Sequence, residues 1–246
     1  MQRNEERNYL LQIIYQIRSD HPTMSARSMY FKINPATMGR DAFEFMCKTE
    51  GLSTVRYINY RKTTNSNGVV RFDNLLLNLT IKNIDQVWQS DITYFDVCGK
   101  FYYITFILDA YSRRIVGHST SKRLTTEQTT LKAIQLAFKT RAGKDLTGLI
   151  LHSDGGGQYY DKEFIRLIKR RGIESSMCEY PWDNGKAERI NGVIKNNYLI
   201  HRNIINFDQL QKEVDRSVEL YNYEKPHKSL KRKTPVTFEN EMIYLH

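Results

Sequence analysis

The run Val87-Trp88-Gln89-Ser90-Asp91-Ile92-Thr93-Tyr94-Phe95 is dominated by β-branched and aromatic side chains, yet an acid stands in its middle. Such a composition specifies a strand, and an ionised carboxylate within it is unfavourable unless its charge is compensated. No Lys or Arg lies inside the run, so compensation must come from elsewhere in the chain. A second acid, Asp154, ends the apolar run Gly148-Leu149-Ile150-Leu151 through His152 and Ser153, and Gly155, Gly156 and Gly157 follow it. That pattern reads as a buried strand entering a sharp turn with open space beside the carboxylate. A third acid, Glu188, falls in a helical segment whose N-cap is expected at Asp183.

At about 100° per residue, Ile190, Val193 and Ile194 share one face of that helix, and Glu188, Asn191, Lys195 and Arg202 fall on the opposite one. The economical physical account is that Asp91, Asp154 and Glu188 converge, their repulsion relieved by divalent cations bound through hard oxygen ligands. Cations beside such acids suit a polyanionic substrate, whose phosphates they position. His152 reads as a hydrogen-bonding or packing neighbour of Asp154 rather than a general base, and Ser153 and Gln158 as residues that orient the loop. Trp182 either stacks on an unpaired base or packs under the glutamate helix.

The segments Trp88-Gln89-Ser90-Asp91-Ile92-Thr93-Tyr94, His152-Ser153-Asp154-Gly155-Gly156-Gly157-Gln158-Tyr159 and Trp182-Asp183-Asn184-Gly185-Lys186-Ala187-Glu188-Arg189-Ile190-Asn191-Gly192 closely resemble, in order, the three motifs of the DDE transposases of bacterial insertion sequences. Lys195, seven residues after Glu188, matches a basic residue of that family. Tyr221-Asn222-Tyr223-Glu224-Lys225-Pro226-His227-Lys228-Ser229-Leu230, with Thr234-Pro235, is similar to its closing motif. The 33 residues between Asp154 and Glu188 are slightly fewer than the family's usual spacing, and the shortening falls before Trp182.

The resemblance, specifically to the product of the second of two overlapping reading frames, implies an α/β, ribonuclease-H-like integrase core. That core is a mixed five-stranded sheet flanked by helices, preceded by a small all-α helix-turn-helix module. It implies two Mg²⁺ ions, with Mn²⁺ as a substitute, on Asp91, Asp154 and Glu188, and cleavage and strand transfer at the inverted-repeat ends of an insertion sequence. Lys186, Arg189, Asn191, Lys195 and Arg202 are the expected DNA contacts in the core. The implied partners are double-stranded DNA, further copies of the chain on paired ends, and the upstream-frame protein or fused product of the same element. A silent or regulatory DNA-binding derivative, or a nuclease of the same fold, are the alternatives.

The formal charge of +10 fits a nucleic-acid partner, and neither a basic amphipathic helix with an aromatic face nor an apolar run long enough to span a bilayer argues for a membrane. The start Met1-Gln2-Arg3-Asn4-Glu5-Glu6 lacks a signal peptide's apolar core, so a bacterial cytoplasmic, nucleoid-associated location is expected. Cys47, Cys98 and Cys178 are widely spaced and form no metal-ligand pair, so reduced thiols are expected.

Along the chain, Tyr9, Leu10, Ile13, Ile14 and Ile17 mark a first helix, Ser25 to Ile33 a second, and Gly39 to Gly51 a third with Phe43, Phe45, Met46 and Cys47 turned inward. With Arg40 and Lys48 on the outer helix, this is the pattern of a DNA-binding helix-turn-helix, shared by any small three-helix bundle. The expected divisions are a helical module over 1–56, a basic linker over 57–80 in which Arg61 and Lys62, with Arg56 just before it, track phosphates, a catalytic core over 81–202, and a C-terminal helix with a basic tail over 203–246. Within the core the order βββαβαβα is expected, with a helix opening at Thr125 and Thr126.

Overall fold

The computed structural model describes residues 2–54, 72–178 and 180–243; the stretch expected to track phosphates through Arg56, Arg61 and Lys62 lies outside the described residues. Alternation along the Asp91 strand decides the architecture. β1 (Val87–Val97) pairs antiparallel with β2 (Lys100–Asp109), and β2 pairs antiparallel with β3 (Ile115–Ser121). On its other side β1 pairs in parallel with β4 (Ile150–Ser153), which carries β5 (Glu174–Met177) in parallel. The order β3-β2-β1-β4-β5 is the mixed five-stranded sheet expected of a ribonuclease-H-like core, with β1 in the middle.

Successive side chains on a strand point to opposite faces, so each face gathers its own helices. Trp88, Ile107 and Val116 pack with α4 (Thr130–Thr140) and α5 (Lys162–Lys169), through Ile134, Ala137, Phe164 and Ile168. Val97, Ile104, Phe106 and Leu108 pack on the other face with α6 (Gly185–Asn197) and α7 (Phe207–Tyr223), through Ile190, Ile194, Leu210 and Val214. Helix α4 approaches β3 so closely that a Cβ on Gly117 would stand 2.2 Å from the Ala133 carbonyl oxygen. Asp91 is on the α6 face, because it shares parity with Phe95 and Val97.

Three earlier helices form a separate cluster: α1 (Gln2–Asp20), α2 (Ala26–Ile33) and α3 (Arg40–Thr49) bury Leu10, Ile14, Met29, Phe43, Met46 and Cys47. Phe45 departs from the expectation and is 68% exposed, since Phe43, Met46 and Cys47 at spacing i, i+3, i+4 already fill the inward stripe. The unit is tied to the core by polar contacts. Arg202 donates to the carbonyls of Ser19 (2.7 Å) and Asp20 (3.0 Å), Lys32 donates to Glu224 (2.9 Å), and His21 meets the Tyr198 hydroxyl at 3.1 Å.

Two other boundaries differ from the sequence reading. Helix α4 starts at Thr130 rather than Thr125, because Thr125 to Thr129 fold into a turn closed by the Thr129 hydroxyl donating to the Thr125 carbonyl at 2.6 Å. Helix α6 ends at Asn197, so Arg202 does not extend the face that carries Glu188; Tyr198, fully buried with φ −126° and ψ −67°, breaks the helical path. Cys47 and Cys178 are buried and Cys98 is exposed, all three as free thiols.

The C-terminal segment is more than a tail. α8 (Pro235–Ile243) inserts Glu239, which is 3% exposed and accepts from Arg141 (2.6 and 2.8 Å), Arg114 (2.7 Å) and the Ser112 hydroxyl (2.6 Å). Burial pushes the Glu239 carboxyl up, but the hydrogen bond and charge of Arg141, with Ser112 and Arg114, outweigh burial and hold it below the usual glutamate range. A depressed folded pKa contributes stability that is present above the unfolded value and lost as pH falls through the folded one. Glu239→Gln should therefore lower unfolding stability by about 3 kcal/mol at neutral pH, since it leaves the buried Arg141 with Asp85 as its one remaining acid and Arg114 with none among the described residues. Urea unfolding of both proteins checks this, and the gap between them should narrow as pH falls below the ordinary value of 4.5.

Candidate active site

Asp91 and Asp154 meet because of strand register. The parallel pairing of β1 with β4 sets Ser90 against Ser153, so the next residues along the two strands, Asp91 and Asp154, lie beside one another. Asp91 Oδ1 accepts the Ile92 N–H (2.9 Å) and Oδ2 accepts the Asn191 side-chain amide (2.7 Å). Asp154 Oδ1 accepts the Gly156 N–H at 3.2 Å. Burial, then the charge of Asp154, and further the charge of Glu188 push Asp91 up to about 8, against the hydrogen bonds it accepts. Burial also raises Asp154, with the Gly156 N–H opposing it.

The glycines beside Asp154 act through space rather than through unusual backbone angles, since none of Gly155, Gly156 and Gly157 has positive φ. A Cβ on Gly155 would meet Met177 Cε at 2.6 Å, and one on Gly156 would stand 3.1 Å from Asp154 Oδ1. Ser90, Tyr159 and Asn184 form a buried polar floor: Ser90 and Tyr159 share a hydroxyl contact at 2.8 Å, and Asn184 donates to the Ser90 carbonyl at 2.9 Å. Asn184 thereby pins the start of α6 to β1. The helix cap differs from expectation, since Asp183 lies within the preceding 3₁₀ turn and accepts the Tyr180 N–H (3.1 Å) and the Asn74 amide (3.1 Å).

Glu188 is exposed in the first turn of α6. Asn191 lies on the buried stripe with Ala187, Ile190 and Ile194, and its amide is used on Asp91. Lys195 is partly buried against β1, donating to Thr93 Oγ1 (3.0 Å) and the Tyr94 carbonyl (3.3 Å); burial lowers its pKa while the Asp91 charge opposes that shift. Lys186 donates to the Ala110 carbonyl at 3.1 Å, and Arg189 is exposed next to Glu188. His152 is buried with Nδ1 2.9 Å from Ser176 Oγ, so it packs between strands β4 and β5. Ser153 is buried, and Gln158 donates to the Leu124 carbonyl at 3.3 Å. Arg202 is held by backbone carbonyls and by Glu213, Arg40 pairs with Asp41 and Glu44 on α3, and Lys48 is exposed on the same helix. None of these last three belongs to the carboxylate group.

The three acids offer only hard oxygen ligands, and among the described residues none of them has an ion-pair partner, which is the chemistry a divalent cation would satisfy. Among the same residues no three His, Cys, Asp or Glu side chains form a closed metal-holding group. Trp182 is 72% exposed and lies flat on Tyr180, ring centroids 4.7 Å apart and planes within 5°. It is not packed under α6. Sequence reasoning did not single out Asn184 or Tyr159; both sit inside the motif segments, but their roles depend on contacts to Ser90, far away in the chain.

The chain matches a family model described as integrase core domain over residues 83–180, and a second of the same description over residues 172–235. It is 30% identical over 213 residues to an uncharacterized 31 kDa protein of insertion element IS600 from Shigella sonnei, covering 85% of this chain and 77% of that protein. It is 28% identical to the transposase for insertion sequence element IS904 of Lactococcus lactis, covering 76% and 73%. The HTLV-2 integrase catalytic core, solved in complex with magnesium, shares the fold with a TM-score of 0.51 at 22% identity, covering 63% of this chain and 95% of that one. A simian T-cell lymphotropic virus intasome chain aligns with a TM-score of 0.53 at 18% identity, covering 86% and 73%.

A carboxyl whose folded pKa is raised above its unfolded value loses stability as pH rises from the unfolded toward the folded value, here from 3.8 to about 8. Without added metal, Asp91→Asn should raise the melting temperature by a few degrees at pH 8, since about 1 kcal/mol moves Tm by roughly 2–4 °C at this size. The gain should shrink toward pH 4, and differential scanning calorimetry across that range reads it.

Proposed function

The chain belongs to the insertion-sequence transposases, polynucleotidyl transferases with an integrase-type core, and from that premise we propose that Asp91, Asp154 and Glu188 are the acids at which it cleaves and joins DNA at the inverted-repeat ends of its element. The observation that carries this reading is the register that sets Asp91 beside Asp154, with the charge of Glu188 also acting on Asp91. These carboxylates would hold two Mg²⁺ ions, or Mn²⁺ in their place, and the metal when bound would supply Lewis-acid activation and neutralise charge on the reacting phosphodiester. Water is the nucleophile for cleavage and a DNA 3′-hydroxyl for joining. Neither step needs a covalent protein–DNA intermediate or ATP.

The chain's own residues do the positioning. Asn191 fixes one oxygen of Asp91, and the partly buried Lys195 charge favours the ionised form of that acid. Arg189 and Glu188 stand exposed together at the start of α6, where a phosphate can approach. The face of Trp182, open to solvent and already stacked on Tyr180, suits an unpaired base at a frayed end. The helical unit over 1–56 serves as a DNA-holding module joined through 57–80 to the catalytic core over 81–202, with 203–246 closing the core. Double-stranded DNA is the partner, held at paired ends by more than one copy of the chain.

Strand transfer with Mg²⁺ and a labelled duplex carrying the repeat from the gene's own flanks tests the assignment. Glu188→Gln should reduce joined product at least about a hundredfold while DNA binding is retained; undiminished joining would remove Glu188 from the chemistry. Cleavage without joining by the wild type would favour a nuclease instead. Trp182→Ala should weaken binding of an end with unpaired bases by about 1–3 kcal/mol and leave blunt duplex binding unchanged, as read by fluorescence anisotropy.

A further inference from the structure

The outer side of α5 is basic along its whole length. Lys162, Arg166 and Lys169 share one face with the C-cap Arg170, whose φ of −62° and ψ of −18° continue the helical path, since positions i, i+4, i+7 and i+8 fall together. Phe164 and Ile168 occupy the opposite side and are buried in the core, where the Tyr159 ring meets Phe164 edge-on at 5.8 Å. Asp161 caps the helix by accepting the Glu163 and Phe164 N–H groups at 2.8 and 3.3 Å. The buried stripe and the cap fix the direction in which the cations project. Together with Tyr160 and Ile165, the four cations line an open groove of about 600 Å³.

All four cations are exposed, and among the described residues none of them enters an ion pair or a side-chain hydrogen bond. Glu163 stands at the edge of the face, about 100° around the helix from Lys162, and pairs with none of them. From Lys162 to Arg170 the row extends about 12 Å at 1.5 Å per residue. Cations spread along a line do not converge on one small anion. They match a linear polyanion, and a duplex presents a phosphate for roughly every 1.7 Å of its axis. Because Phe164 and Ile168 are buried, the helix has no free apolar side to insert among lipids. The groove also begins beside the acids. Tyr160, at its N-terminal end, places its hydroxyl 3.1 Å from Met177 Sδ, and a Cβ on Gly155, the residue after Asp154, would stand 3.2 Å from that hydroxyl. The Asp154 loop leads into the basic face through the 3₁₀ turn Gly157–Tyr159 and the Asp161 cap.

We propose that the α5 face formed by Lys162, Arg166, Lys169 and Arg170 binds the phosphodiester backbone of duplex DNA without regard to its sequence, along a track that leads to the Asp154 loop. That the polyanion is DNA rests on the transposase reading; the groove and its unpaired cations stand without it. Phosphate contacts position a duplex and carry no sequence information, so the face adds affinity for any duplex equally. The catalytic core thereby holds DNA by a surface of its own, separate from the helical unit that precedes it.

The test uses the full chain without Mg²⁺ and two labelled duplexes, one carrying the inverted repeat and one of unrelated sequence, with affinity read by fluorescence anisotropy across a salt series. Arg166→Gln and Lys169→Gln should each reduce the slope of log binding constant against log salt by about 0.9 on both duplexes, and the double variant by about twice that. Arg166→Lys should keep the wild-type slope. Lys212→Gln removes the same charge from an exposed position on α7, across the sheet, and should change nothing. Glutamine suits a helix about as well as Lys or Arg, so the melting temperatures should match. A wild-type slope in the double variant would overturn the proposal, as would an equal loss in Lys212→Gln, which would make the effect one of net charge. A loss confined to the repeat duplex would overturn sequence independence. Unchanged DNA slopes beside lost binding to phosphatidylglycerol vesicles would put a lipid surface in place of DNA. A wild type that binds neither duplex would overturn the transposase reading and the DNA occupant together, whereas wild-type binding and joining with an unaltered double variant would overturn the α5 face alone.

Discussion

Asp91 occupies the middle strand of the sheet, where β2 and β4 exclude water from either side and two more acids bear on it. Keeping a carboxyl there is unfavourable by an amount comparable to a substantial share of a domain's net stability. The surrounding structure makes the position tolerable in pieces: the Ile92 N–H and the Asn191 amide each take an oxygen, and Lys195 brings a positive charge along the same face of β1. Each of those groups depends on the sheet register and on the docking of α6, so the geometry of the acid and the integrity of the core are one problem.

Docking of α6 is in turn fixed at both ends. Asn184 ties its start to β1 through the Ser90 carbonyl, and Ile190, Ile194 and the buried Tyr198 fasten its inner stripe to the β2 side of the core. The exposed rim of the helix, with Glu188 and Arg189, is thereby free to face a substrate while its inner stripe is immobilised. Rigid support behind an exposed reactive edge is what a site that must align a polymer backbone requires. The segment from Phe72 to Leu77 adds to this support, since Leu75 N–H donates to Ser176 and Asn74 to Asp183, linking β5 to the turn before α6.

Periodicity made the scaffold legible. Alternation around Asp91, the short apolar runs before Asp154 and the i, i+3, i+4 stripes of the helices are local signals, and the three acids lie on the elements to which those signals assign them. What periodicity could not show were side-chain partners across long separations. Asn191 reads as part of an outward polar face until Asp91 is seen to claim it, and Tyr159 and Asn184 read as loop residues until both reach Ser90. Arg202 falls with Glu188 by periodicity because nothing local announces that Tyr198 ends the helix by burying its ring. Glu239 carries no sequence signal at all, because an acid in a C-terminal helix is ordinary until Arg141 and Arg114 converge on it.

Net charge therefore says little about where a polyanion rests. Of the cations behind the value of +10, many are engaged within the fold: Arg141 and Arg114 by Glu239, Lys32 by Glu224, Arg202 by backbone carbonyls and Glu213, Arg27 and Arg40 by acids on α3. A cation already paired has its field largely cancelled, and moving it to a phosphate would expose the acid it leaves. The cations that matter for binding are those the fold leaves without an acid, and the start of α6 with its facing turn holds several of them close to the exposed Glu188. Because Lys186 reaches the β2–β3 turn through the Ala110 carbonyl, an anion arriving at the start of α6 would bear on the same helix that positions the acids.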